Sequence, residues 1–230
     1  MAAIRIVLCR PSHPGNIGAA ARAMKTMGLS DLRLVAPERF PAPQAEWMAT
    51  HAADVLASAR VHGTLQEAIA DCVAAFALSA RPREWSPQVL PVREAAVRAA
   101  ALAAPVAFVF GSESAGLTNE ELFACQSLVH IPAEPGASSL NLAQAVQVVA
   151  YELRMARDAS VPAMRAEMLA TVQDIEGLYG HLEEAARSSG FLVPGSRLRE
   201  RWRRLFSRVP ALEREEVNIL RGLLKALLKK

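Results

Sequence analysis

Residues 105–155 read PVAFVFGSESAGLTNEELFACQSLVHIPAEPGASSLNLAQAVQVVAYELRM. Two apolar runs in this stretch each end in a loop of small polar residues. The first, 106–110, is short, continuous and rich in Val and Phe, the composition of a strand buried on both faces of a parallel sheet. It stops at Gly111. The second, 128–131, ends at Pro132 and passes through Pro135-Gly136 to Ser138-Ser139, after which Leu142, Val146, Val149 and Leu153 recur at helical spacing. Two loops therefore leave the carboxyl ends of two strands, the edge of an open α/β sheet where ligands bind. Either loop alone reads as an ordinary connection. Two so close together, both built from residues that let backbone approach a ligand, mark a site.

Upstream of this stretch the pattern predicts a strand at 4–8, a loop from Arg10 to Asn16, a helix at 17–27 closed by Gly28, and a strand at 32–35. Helical patterns follow at 44–59 and 65–71, then a strand at 73–78, a Pro- and Arg-rich loop at 79–91 and a helix at 93–103. The alternation predicts an α/β fold, a mainly parallel sheet covered on both faces. Thr118-x-x-Glu121 predicts a capping box on a short helix between the two loops. Downstream, the long helix expected from 140 ends near 158–162, and only helical patterns remain, at 164–187, 196–208 and 212–228. Leu220, Leu223, Leu224, Leu227 and Leu228 form an apolar face on the last. Two units are expected, 1–157 and a small helical one at 158–230.

A chain of 230 residues that is 52% hydrophobic buries a substantial core, as one large domain or a domain with an appendage, which excludes disorder. Cys9, Cys72 and Cys125 are odd in number, lie in apolar surroundings and form no CxxC pair, so they read as buried thiols of a reducing compartment. The five histidines lack metal-ligand spacing, and no structural metal is expected. No apolar run suits a signal peptide or a membrane span, so a soluble cytoplasmic protein is expected. The net charge of +3 is uneven. Residues 1–157 carry 13 basic and 13 acidic side chains, residues 158–196 carry 2 and 6, and residues 197–230 carry 11 and 4. In the last segment Arg197, Arg199, Arg201, Arg203, Arg204 and Arg208 surround Trp202 and Phe206, a set suited either to RNA phosphates and bases or to a solvated helix face over packed aromatics.

Several chemistries are poorly supported. Gly111 and Gly116 bracket four residues as in a phosphate-binding P-loop, yet Leu117-Thr118 stands where Lys-Ser/Thr is required. No GxGxxG follows the first strand, which argues against a dinucleotide fold and against a Rossmann-type methyltransferase.

Three segments, Asn16-Ile-Gly18-Ala-Ala-Ala-Arg22, Phe110-Gly111-Ser-Glu113-Ser-Ala-Gly116-Leu117, and Ile131-Pro132 leading to Ser139-Leu140-Asn141, resemble in order the three motifs of the SpoU branch of the SPOUT RNA methyltransferases. The resemblance runs on through SSLNLA and AVQVVAYE to YGHLE and NILRG, and is strongest to the branch that 2′-O-methylates cytidine or uridine 32 of tRNA. It implies a C-terminal trefoil knot in the sheet, which general topology rules would exclude. It also implies a homodimer with the active site at the subunit interface, and S-adenosylmethionine held by Ser79, Ala80, Gly111, Ile131, Ser138, Ser139 and Leu140. The implied catalytic set is Arg22, Asn16, Glu113, Ser139 and Asn141, with Arg22 as a base or as a phosphate and alkoxide partner; with a pKa above about 12, arginine is a poor base. The helical unit would bind tRNA. Ser112 and Ser114 depart from relatives that carry bulkier or charged residues there, which bears on substrate tolerance. The alternatives are an RNA-binding protein that keeps this fold without catalysis, and a ribosomal-RNA methyltransferase.

Overall fold

The computed structural model describes residues 3–80, 87–136, 139–158, 168–193, 195–209 and 211–228. Seven strands form one sheet: β1 (Ile4–Cys9), β2 (Asp31–Val35), β3 (Arg60–His62), β4 (Ala74–Leu78), β5 (Gln88–Pro91), β6 (Val106–Phe110) and β7 (Ser127–His130). Their order is β3-β2-β1-β6-β4-β7-β5, and every pair is parallel. All strand carboxyl ends therefore lie on one edge, and the loops after β4, β6 and β7 leave side by side.

Side-chain alternation divides the core into two layers. Ile4, Ile6 and Leu8 of β1, Phe76 of β4, and Val106, Phe108 and Phe110 of β6 point to one face. That face is covered by α1 (Pro14–Thr26), α2 (Pro43–Ala49), α3 (Ala53–Ala57), α5 (Val92–Ala100) and α7 (Leu142–Asp158). Phe76 and Phe108 stack there with ring centroids 4.9 Å apart. The opposite face presents smaller side chains, Val7, Cys9, Ala75, Ala77, Ala107 and Val109, to α4 (Leu65–Ile69) and α6 (Asn119–Phe123). The three cysteines are free and buried, Cys9, Cys72 and Cys125, all in this second layer. Burial pushes the Cys72 thiol up to about 12 and raises those of Cys9 and Cys125, so none is a ready nucleophile.

The helical unit comprises α8 (Val172–Ser188), α9 (Leu198–Phe206) and α10 (Arg214–Leu228) around Ile175, Leu178, Tyr179, Leu212 and Val217. It is stitched to the sheet unit by the Val172 amide, which donates to the Cys72 carbonyl at 2.7 Å, and by the Gln88 amide, which donates to Ser207 Oγ at 3.1 Å.

Several boundaries differ from expectation for identifiable reasons. The first helix starts at Pro14, where the missing N–H is no loss, so Asn16 sits in its first turn and Arg22 in its third. The helical pattern at 44–59 is interrupted by a 3-10 turn, Thr50–Ala52. Two strands are additional to those expected, one in an unassigned stretch and one in a stretch read as a loop. Arg60–His62 is a three-residue edge strand with no apolar run, and Gln88–Pro91 falls in the Pro-rich loop as the opposite edge strand, where a Pro is tolerated. The eighth helix begins at Val172 under a Thr171–Asp174 capping box rather than at 164. Residues 164–167 lie outside the described residues.

Candidate active site

The cleft lies where strand order brings the three loops together. Its walls are Leu78 at the end of β4 with Ser79 and Ala80 beyond it, residues 111–117 after β6, Ile131 after β7, and Ser139, Leu140, Leu142 and Ala145 where α7 begins. Its volume is about 200 Å³. Six of the seven positions expected to hold the cofactor line it: Ser79, Ala80, Gly111, Ile131, Ser139 and Leu140. Ser138 lies outside the described residues. The loop after β6 is tightly folded. The Gly116 amide donates to the Ser112 carbonyl at 2.9 Å, Gly116 has φ 70°, and a Cβ on Gly111 would stand 2.0 Å from the Gly116 carbonyl carbon. Gly111 is therefore required by the loop's own backbone rather than by a ligand passing close to it.

Beside the cleft, a hydrogen-bond network joins the segments that carry the three motifs. Asn16 Nδ2 donates to Glu113 Oε1 at 2.8 Å, and Asn141 Nδ2 donates to Asn16 Oδ1 at 3.1 Å. Glu113 also accepts from the Ser12 amide and hydroxyl, each at 3.0 Å, and from the His13 amide at 3.2 Å. Burial alone would raise the carboxyl pKa, but the hydrogen bonds from Asn16 and Ser12 outweigh it and hold Glu113 down to about 2. Glu113 is thus an anion at neutral pH with its lone pairs occupied. It anchors the loop and is a poor proton acceptor.

Arg22 is elsewhere. It is exposed on α1 and does not line the cleft of its own chain. Six residues beyond Asn16, it stands about 9 Å further along the helix axis and roughly 240° around it, so the two side chains face different ways. Ser12, Leu78, Leu142 and Ala145 were not anticipated. Ser12 had a signal, since it lies in the loop that leaves β1 at the ligand edge, whereas the lining apolar residues look like any other core.

The six arginines of the basic helix divide. Arg203 is turned inward: Nη1 donates to Glu176 Oε1 at 2.6 Å and to the Phe123 carbonyl at 2.5 Å, Nη2 donates to Glu176 Oε2 at 2.7 Å, and the guanidinium lies 4.7 Å from the Tyr179 ring centroid. Trp202 and Phe206, both half-buried, pack on the helical core, Phe206 edge-on to Tyr179. Arg199 lies 3.7 Å from Glu176. Arg197, Arg201, Arg204 and Arg208 are exposed. Among the described residues no group of His, Cys, Asp and Glu could hold a metal ion, and no helix is long and apolar enough to cross a membrane.

Residues 3–151, which carry all three motifs, match a family model, the SpoU rRNA methylase family. The chain belongs to the SpoU rRNA methylase family. Residues 173–230 match a second model, the C-terminal domain of the tRNA methyltransferase TrmJ. Relatives similar along the whole SpoU chain include the tRNA (cytidine/uridine-2′-O-)-methyltransferase TrmJ of Cronobacter sakazakii, 47% identical with 97% of this chain and 95% of the relative covered. The tRNA (cytidine/uridine/adenosine-2′-O-)-methyltransferase TrmJ of Pseudomonas aeruginosa is also 47% identical, covering 96% and 92%. The crystal structure of TrmJ from Z. mobilis ZM4 superposes with a TM-score of 0.85 at 37% identity, covering 98% of this chain and 99% of that one. Members of the SpoU rRNA methylase family are methyltransferases, and residues 3–151, which match it, include every residue that lines the cleft.

Proposed function

We propose that this protein transfers a methyl group from S-adenosylmethionine to the ribose 2′-hydroxyl of nucleotide 32 in the anticodon loop of tRNA. The observation that carries the reading is the meeting of Asn16, Glu113 and Asn141, from three distant segments, beside a cleft lined by the expected cofactor residues. The cofactor fits these residues. Leu78, Ile131, Leu140 and Leu142 offer an apolar slot for a purine, the small loops offer backbone groups, and anionic Glu113 on the wall suits a sulfonium cation. When bound, the cofactor supplies an electrophilic methyl group. Ser79, Ala80, Gly111, Ile131, Ser138, Ser139 and Leu140 would hold it.

A ribose hydroxyl is a weak nucleophile, so the protein must align its oxygen and offset the charge that develops on it. Asn16, Ser139 and Asn141 orient that oxygen, and Glu113 fixes Asn16. Arg22 offsets the charge and holds the adjoining phosphate. Because Arg22 faces away from the cleft of its own chain, it acts in the cleft of a partner, which makes the working unit a homodimer with interfacial sites. The knot implied by the resemblance suits a strand order in which β7 lies between β4 and β5, two strands consecutive in the chain. Residues 158–230 act as a tRNA-binding unit, with Arg197, Arg201, Arg204 and Arg208 on phosphates. A tRNA substrate suits a cytoplasmic protein. Nucleoside mass spectrometry of tRNA incubated with protein and labelled S-adenosylmethionine should find label in 2′-O-methylated nucleotide 32; label at another position, or in ribosomal RNA instead, would overturn the assignment.

A further inference from the structure

Arg10 is the residue after β1, and its backbone is left-handed, with φ 48°. Few non-glycine residues adopt this conformation, and it persists where surrounding structure imposes it. Its amide still donates to the Val35 carbonyl at 2.8 Å, so the chain turns sharply out of the sheet edge at this point. The turn sends the guanidinium across to the loop that follows β6. There Nη1 donates to Glu121 Oε1, and Nη2 donates to the Gly116 carbonyl at 3.2 Å. Glu121 is a fixed partner. Its Oε2 accepts from the Thr118 amide at 2.7 Å in the capping box of α6, and its side chain is only 11% exposed. Gly116 is the residue at which the 111–116 loop closes on Ser112.

We infer that Arg10 is a positioning residue for the cofactor cleft: it grips the closing end of the 111–116 loop while Ser12, His13 and Asn16 grip its Glu113 shoulder. One short segment, 10–16, thereby holds the loop at two points, and the loop is a wall of the cleft. Arg10 does not line the cleft itself, so it acts through the loop. The planar fork is what allows one side chain to hold a carboxylate and a carbonyl together; an ammonium on a flexible stem keeps the charge and loses that geometry. The inference rests on the reading of this cleft as the cofactor's.

The test compares the full-length protein with Arg10→Gly and Arg10→Lys. Glycine accepts the left-handed backbone, so Arg10→Gly removes the fork without adding strain. Amide hydrogen exchange is measured without any ligand, S-adenosylmethionine affinity by calorimetry, and methylation by initial rates. In Arg10→Gly the amides of 112–116 should exchange about tenfold faster while those of β1, β4 and α8 keep their rates, and the cofactor affinity should fall about tenfold. The cofactor KM should rise with kcat kept, and Arg10→Lys should fall between the two. Exchange at 112–116 and cofactor affinity both unchanged in Arg10→Gly, or both unchanged in Arg10→Lys, would overturn the inference. Wild-type protein that fails to bind the cofactor would instead remove the cleft's assignment, and faster exchange at 112–116 would still identify Arg10 as the grip on the loop.

Discussion

The ligand edge of the sheet and the basic helix α9 were both picked out by residue type, and the structure treats them differently. At the sheet edge the named residues converge: six of the seven expected cofactor positions line one cleft, with the network of Asn16, Glu113 and Asn141 beside it. On α9 and its two ends the named residues part company. Arg203 is bound to Glu176 and Phe123 inside the molecule, while Arg197, Arg201, Arg204 and Arg208 are exposed. A motif at a strand end carries its own geometry, because parallel strands place their carboxyl ends on one edge whatever the rest of the chain does. A run of arginines carries only composition. A helix turns 100° per residue, so neighbours in the run face opposite environments, and tertiary packing decides which are spent internally.

This contrast breaks most visibly at Arg22, which belongs to the first motif yet stands off the cleft. If it serves a partner's cleft, Arg22→Ala should lower the single-turnover methylation rate by about 10²–10³-fold with cofactor affinity nearly unchanged. Heterodimers of Arg22→Ala subunits with cleft-defective subunits should regain activity. Near-normal turnover by Arg22→Ala would remove it from the mechanism, and no recovery in verified heterodimers would remove the partner's role.

A smaller effect is expected where the loop is built. Gly111→Val places its Cβ against the Gly116 backbone, so the loop must move. A loss of about 1–3 kcal/mol in denaturant stability should accompany loss of cofactor binding. Full stability with binding lost would return the reason for Gly111 to the ligand.

On α9 the two sets of arginines should separate by assay. Arg203→Met strips Glu176 of its bidentate partner, leaving only Arg199 at 3.7 Å, and takes the donor from the Phe123 carbonyl, so it should cost about 2 kcal/mol of stability. Arg204→Met should leave the thermal midpoint in place, weaken tRNA binding a few-fold and reduce the salt slope by about one counterion. The reverse pattern would mean that the faces of the helix have been misassigned.

The smallest effect is a pH dependence. Glu113 is held at about 2, below its ordinary value of 4.5. A depressed carboxyl contributes stability that is present above the unfolded value and lost as pH falls through the folded one. The difference in stability between wild type and Glu113→Gln should therefore be constant above about pH 5 and shrink between pH 4.5 and 2. A difference that stays constant through that window would mean that Glu113 is not held by Ser12 and Asn16 in solution.

Much of this protein was legible in its residues. The continuous apolar runs at 6–9 of β1 and along β4 and β6 announce strands covered on both faces, because only a doubly covered parallel sheet removes the need for polar alternation. The Thr118–Glu121 capping box is local chemistry and appears as expected. The two edge strands were hidden, since Arg60–His62 and Gln88–Pro91 owe their conformation to the neighbouring strand rather than to their own apolar content. Three decisions belonged to tertiary structure alone. Arg10 meets Glu121 across 111 residues of chain, so nothing local could pair them. Glu113 becomes a fixed anion only because the segment 12–16 folds over it. Arg203 turns inward only because Glu176, on another helix, lies beneath it. Local patterning specifies what each segment can become; which charges meet depends on distances that exist only after the chain has closed on itself.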